Sequence, residues 1–107
     1  MDGFTCQARV VGDRIVIGLH GDLDTAAHDR LISATTPWLA SGTHIVLDCS
    51  GITFIDSRGM QSLVELHHMA AAVGADLILT ALPHAVSRIF RIAGVEGFFT
   101  VDRVYSL

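Results

Sequence analysis

The chain has 107 residues, half of them apolar, and a formal net charge of −4. That is the size of one domain with one core, with enough Leu, Ile, Val and Phe to fold without disulfides or a structural metal, which argues against a disordered tail or linker. No lysine-rich or arginine-rich run is available to neutralise phosphates, so a nucleic-acid binder is not expected.

Residues 4–10 alternate like a half-buried strand, with Phe4, Cys6, Ala8 and Val10 on one face and Thr5, Gln7 and Arg9 on the other. Gly12-Asp13 is a two-residue turn signal, and residues 14–20 (RIVIGLH) resume as a β-branched strand, so the two runs read as a hairpin. Gly21-Asp22-Leu23-Asp24-Thr25 follows as a polar loop in which Asp24 or Thr25 can cap a helix. Leu31, Ile32, Thr35, Trp38 and Leu39 recur at helical spacing; Pro37 interrupts that helix or kinks it near its end, and Ser41-Gly42 stops it. Residues 44–49 (HIVLDC) are apolar enough for a central parallel strand.

Residues 50–55 read as a loop leading to Asp56-Ser57-Arg58-Gly59, after which Met60, Leu63, Val64, Leu66, His67 and residues 70–73 have helical periodicity up to a Gly74 C-cap. Residues 76–82 form another buried strand. Pro83 opens a helix in its first turn, with Val86, Ile89, Phe90, Ile92 and Ala93 as its apolar face. Gly94-Val95-Glu96-Gly97 breaks that helix, and residues 98–101 make a last short strand.

The order β-β-α-β-α-β-α-β implies right-handed crossovers and a mostly parallel sheet with an N-terminal β-hairpin at its edge. The class is α/β, with one domain over residues 1–107 and neither repeat nor linker. Cys6 and Cys49 sit in apolar runs and read as buried thiols, not a disulfide framework. The start, Met1-Asp2-Gly3-Phe4, has none of the features of a signal peptide, and no stretch reaches the roughly 18 apolar residues of a membrane span. A soluble, cytoplasmic chain with no direct membrane insertion is expected.

Loops at the C-terminal strand ends of such a sheet gather on one edge and are the default place for function. Two carry polar residues here, 21–25 and 50–59, and neighbouring crossovers should set them side by side. Asp56 suits the N-cap position, accepting from amides near Arg58 and Gly59. Ser57 then stands in a first helical turn, where the dipole and free amides favour an anion.

The stretch Ile45-Val46-Leu47-Asp48-Cys49-Ser50-Gly51-Ile52-Thr53-Phe54-Ile55-Asp56-Ser57-Arg58-Gly59-Met60 resembles the central motif of STAS domains. These are the domains of bacterial anti-sigma factor antagonists, found also in sulfate transporter tails and lipid-transport accessory proteins. Gly21-Asp22-Leu23-Asp24 resembles the family's Gly-(Glu/Asp)-Leu-Asp, and residues 87–94 resemble its late helix. The likeness runs from about residue 4 to 102, with the family's last helix missing or very short, since only residues 104–107 remain for it.

The resemblance implies a STAS fold and regulation of transcription through a sigma factor. Such an antagonist binds an anti-sigma factor, a serine kinase of the histidine-kinase-like ATPase type, and so frees the sigma factor. The docking edge would comprise Asp22, Asp24, Thr25, Thr53, Asp56, Ser57, Arg58, Gly59 and Met60. In the family a Ser directly before the motif Gly is phosphorylated, which ends the binding; here that position is Arg58, which cannot accept phosphate.

Three readings of Arg58 stand open: an ion pair with Asp22 and Asp24, a reach to a partner's carboxylate or phosphate, or a solvated side chain. Ser57 is the nearest hydroxyl and the candidate substitute phosphosite; the blander reading gives it a buried or backbone-bonded hydroxyl. The apolar stripe of Met60, Leu63, Val64 and Leu66 should be mostly core, with any exposed part such as Met60 forming a docking hot spot.

The six histidines show no ligand spacing; His67 and His68 point about 100 degrees apart on a helix. No metal, cofactor or catalytic set is expected. A transport or sensory assembly using the same edge is the alternative, a small-ligand sensor a third, and a weak homodimer is compatible with each.

Overall fold

A computed structural model describes residues 3–102 of the chain. Strands β1 (Thr5–Val11) and β2 (Arg14–Leu23) form the expected hairpin. Gly12 takes φ +63 at the first turn position while Asp13 stays on the ordinary side, the type II′ arrangement that follows the strands' right-handed twist. A 3-10 turn, Thr25–Ala27, leads into helix α1 (His28–Thr35), which ends before Pro37 and not at Ser41-Gly42 as the sequence reading has it; Pro37 lies in a second such turn, Thr36–Trp38. Strand β3 (His44–Ile55), helix α2 (Ser57–Val73), strand β4 (Asp76–Thr80), helix α3 (His84–Ala93), a 3-10 turn Glu96–Phe98 and strand β5 (Thr100–Asp102) complete the order.

The strands lie in chain order, β1 antiparallel to β2 and the rest parallel. Each crossover advances one strand in the same direction, so right-handed connections put all three helices on one face. The core shows this. Ile17, Leu19, Ile45, Leu47, Cys49 and Leu79 alternate onto the face that meets Leu31 of α1, Leu63 and Leu66 of α2, and Val86 and Phe90 of α3. Among the described residues, no helix is long and apolar enough to cross a membrane.

The largest departure from the sequence reading bears on the site. Residues 21–23 and 50–55 are strand, not loop, and pair with each other as far as Leu23 opposite Ile55. The register slips between Gly18 and His20 and again between Gly21 and Asp22. Such bulges break the period-2 pattern by which a strand is recognised. Gly51 makes the passage feasible, because a β-carbon there would stand 2.6 Å from the Leu19 carbonyl oxygen and closer still to the His20 ring.

Smaller departures follow from how far each helix reaches. Ala8 and Val10 lie on the helical side of the sheet yet are exposed, because α1 meets β1 only at the Phe4–Cys6 end. Cys6 is accordingly half-buried, and only Cys49 is fully buried. Strand β4 ends at Thr80, before Ala81 turns into the left-handed region at φ +58. Pro83 is the N-cap of α3 and does not enter its first turn.

Ile92 is 79% exposed: two positions from Phe90, it is turned about 200 degrees from the buried side. Phe98 belongs to a 3-10 turn, not to the last strand, and its ring centre sits 4.4 Å from that of His67. Residues 104–107, the expected site of a truncated last helix, lie outside the described residues.

Burial pushes the Cys49 thiol from 9.0 up to about 12, with the Asp48 carboxylate adding to the rise. The folded thiol therefore keeps its proton where the unfolded one loses it, so stability falls as pH rises above 9 toward 12, by up to about 1.4 kcal/mol per unit. Urea titrations at pH 8 and pH 10 should show a steeper loss in the native chain than in Cys49→Ala; equal slopes would contradict this assignment.

Candidate functional site

Helix α2 starts where β2 and β3 end. Asp56 has extended backbone and its Oδ1 accepts from the Gly59 amide at 2.9 Å, while the Met60 amide donates to the Asp56 carbonyl at the same distance. A short polar side chain is what this position requires. The Asp56 amide reaches back to the Leu23 carbonyl at 3.4 Å. Gly59 lies against the same carbonyl so closely that a β-carbon would stand 1.8 Å from the Leu23 oxygen. The first turn of α2 is thus pressed onto the end of β2, with Gly59 and Met60 inward and Ser57 and Arg58 outward.

The acidic residues of the neighbouring segment are engaged elsewhere. Asp22 Oδ1 accepts from the Thr53 hydroxyl at 2.8 Å, across the β2–β3 extension. Asp24 caps the Thr25–Ala27 turn, accepting from the Ala27 amide at 3.2 Å. Among the described residues no carboxylate stands within ion-pairing distance of Arg58, so of its three readings the ion pair with Asp22 and Asp24 is not met. Local partners took the acids first.

Arg58 instead borders a cleft of about 470 Å³ between α1 and α2, lined also by His28, Gln61, Val64, Glu65, His68 and Met69. One wall of it is held by a short relay. The Ser62 hydroxyl donates to the Arg58 carbonyl at 3.1 Å, and His28 Nδ1 lies 2.9 Å from the same hydroxyl. The other ring nitrogen of His28, Nε2, faces Glu65 Oε1 at 3.7 Å. The relay joins the start of α1 to the first turn of α2 and so sets the backbone that presents Arg58.

Two further expectations are corrected. Ser57 is exposed and its hydroxyl has no bond among the described residues, so it is neither buried nor backbone-bonded. Met60 is 7% exposed and belongs to the core, packed among residues such as Leu63, so it is no surface hot spot. The exposed apolar residue at this edge is Phe54, opposite Asp22 and 51% exposed. Thr25 and Thr53 are exposed beside it, as expected of an edge. Residues 50–55 read as a loop in the sequence, which says nothing about the side on which Phe54 falls; in the structure flanking Ile52 and Ile55 are buried, and the bulged register turns Thr53 and Phe54 outward together. Among the described residues no cluster of His, Cys, Asp or Glu is arranged to hold a metal ion.

The edge formed by two paired strand ends and a helix start matches a known architecture. A family model described as the STAS domain covers residues 5–106. The chain belongs to the STAS family. Its structure is similar to that of an anti-sigma factor antagonist from Mycobacterium paratuberculosis, with a TM-score of 0.78 and 20% identity over 92% of this chain and 85% of that one. It is also similar to the anti-sigma factor antagonist SpoIIAA in its unphosphorylated form, with a TM-score of 0.68 and 21% identity over 94% and 90% of the two chains. The murine anion transporter Slc26a9 contains a similar region, with a TM-score of 0.69 and 17% identity over 89% of this chain but 19% of the transporter.

Gly59→Ala should lower the unfolding free energy by about 3 kcal/mol, because the Leu23 carbonyl is backbone and cannot step aside without breaking the strand end. A urea titration reads this directly; a loss below about 1 kcal/mol would mean that α2 can shift freely on β2.

Proposed function

We propose that this chain is an anti-sigma factor antagonist that acts by docking and not by catalysis. Its working surface is the β2–β3 extension together with the first turn of α2. The reading rests above all on Arg58, an exposed cation with no partner among the described residues, which follows exposed Phe54 by four positions where a sheet-supported edge passes into α2. A guanidinium so placed suits a carboxylate or phosphate of a partner, and the exposed Phe54 ring suits an apolar pocket. The partner is an anti-sigma factor of the histidine-kinase-like ATPase type, met in the cytoplasm, and occupying it frees the sigma factor. Residues 1–107 act as one STAS domain in this role, with Asp22, Asp24, Thr25, Thr53 and Asp56 shaping the edge and Ser57, Arg58 and Phe54 making the contact.

The phosphorylation switch of the family cannot run through Arg58. Ser57, exposed and with no hydroxyl bond among the described residues, is the nearest hydroxyl to carry one. The similarity to a region of an anion transporter supports a second reading, in which the same edge holds a structural partner in a transport assembly.

Capture with the tagged chain from cells that express it, with mass spectrometry of bait and prey, separates the two. An ATPase of the kinase type is expected, and recovery of permease subunits with an unmodified bait would overturn the antagonist reading. Arg58→Glu and Phe54→Ala should each weaken the recovered complex at least tenfold while leaving the fold intact. Affinities within twofold of the native chain would remove this edge from the interface.

A further inference from the structure

Strand β1 closes one side of the sheet, and among the described residues nothing pairs with its outer edge. The two residues flanking a two-residue hairpin turn exchange hydrogen bonds, and the pattern then alternates along an antiparallel ladder. Val11, Arg9, Gln7 and Thr5 therefore spend their backbone groups on Arg14, Val16, Gly18 and His20 of β2. Cys6, Ala8 and Val10 turn theirs outward. These outward residues are centred on Ala8, so a second copy of the strand, running antiparallel about a two-fold axis at Ala8, would set Ala8 opposite Ala8 and Cys6 opposite Val10. Every outward amide and carbonyl would find a partner.

The side chains fit the same axis. Cys6, Ala8 and Val10 lie on the helical face, where Val10 is 63% exposed and Ala8 is also exposed. On the other face the pairing sets Gln7 opposite Arg9, so no like charges meet directly. Helix α1 covers only the far end of the strand, where Arg30 Nη1 donates to the Phe4 carbonyl at 3.1 Å and the Cys6 thiol reaches the Arg30 carbonyl at 3.6 Å. Beside that contact opens a cleft of about 510 Å³ lined by Thr5, Cys6, Arg30, Ser33 and Ala34. The two-fold brings Val10 of each copy to Cys6 of the other, at the mouth of this cleft. Knob and hollow sit at matching distances from one axis.

We propose that β1 is a homodimerisation edge, joining two copies of this chain through antiparallel β1–β1 pairing with Val10 seated in the partner's cleft. An unpaired strand without proline, bulge or lysine is the kind of edge that native proteins otherwise guard. The pairing makes one continuous sheet across two copies and closes it to further addition, since each copy's far edge is the different strand β5. The surface around Arg58 lies outside the pairing, so both copies keep it open.

Sedimentation equilibrium of the full chain should show a concentration-dependent dimer. Val10→Arg and Ala8→Pro should each shift it to monomer mass with circular dichroism unchanged; the proline removes only an outward amide, and the arginine is borne on a surface already exposed. In a Cys6→Ser background, Ala8→Cys should form a disulfide-linked dimer under mild oxidant, because directly opposed residues lie about 5.5 Å apart at their α-carbons. A native chain that stays monomeric to millimolar concentration overturns the proposal. So does a dimer that survives Val10→Arg, or one in which Ala8→Cys fails to cross-link.

Discussion

The contact of Gly59 with the Leu23 carbonyl is the constraint on which the working edge depends. It lets helix α2 begin directly against the last residue of β2, at the level where Leu23 and Ile55 still pair. Any side chain at position 59 would force the helix off the strand, and the cap from Asp56 to the Gly59 amide would open with it. With the contact in place, Met60 is carried into the core and Ser57 and Arg58 are left facing out. Exposure of these two residues is thus a consequence of packing one residue further along.

The same constraint explains why the edge is sheet and not loop. Strands β2 and β3 continue together past the bulges at Gly18/His20 and Gly21/Asp22, and the Thr53–Asp22 hydrogen bond ties their side chains where the backbone register has slipped. Beneath, Ile52, Ile55 and Leu23 are buried against the core. Phe54 and Arg58 therefore project from a supported rim, which reduces the ordering cost of binding that a flexible loop would carry. The relay from His28 through Ser62 to the Arg58 carbonyl adds a second support from the α1 side.

Much of this was legible in the sequence where the chemistry is local. The Gly12-Asp13 turn, the Asp56 cap, the Gly74 and Gly94 helix ends and the interruption at Pro37 each follow from one or two residues, and the structure has them all. What was not legible depends on partners distant in sequence. The bulged extension hides its alternation, so residues 50–55 read as a loop and the outward side of Phe54 is not legible. Nor does the sequence decide among the readings of Arg58, since Asp24 caps its own turn and Asp22 accepts from Thr53 through contacts that only the fold sets up. The apolar row of Cys6, Ala8 and Val10 correctly signalled a strand, but not that α1 stops short of covering it.

Amide hydrogen exchange of the free chain tests the central claim, that the working edge is part of the sheet before any partner arrives. The account predicts that backbone amides within residues 50–55 are protected together with those of residues 45–49, as one strand, and that the Gly59 amide is protected by its bond to Asp56. Exchange of residues 50–55 at the rate of an open loop, with protection ending at Cys49, would contradict it.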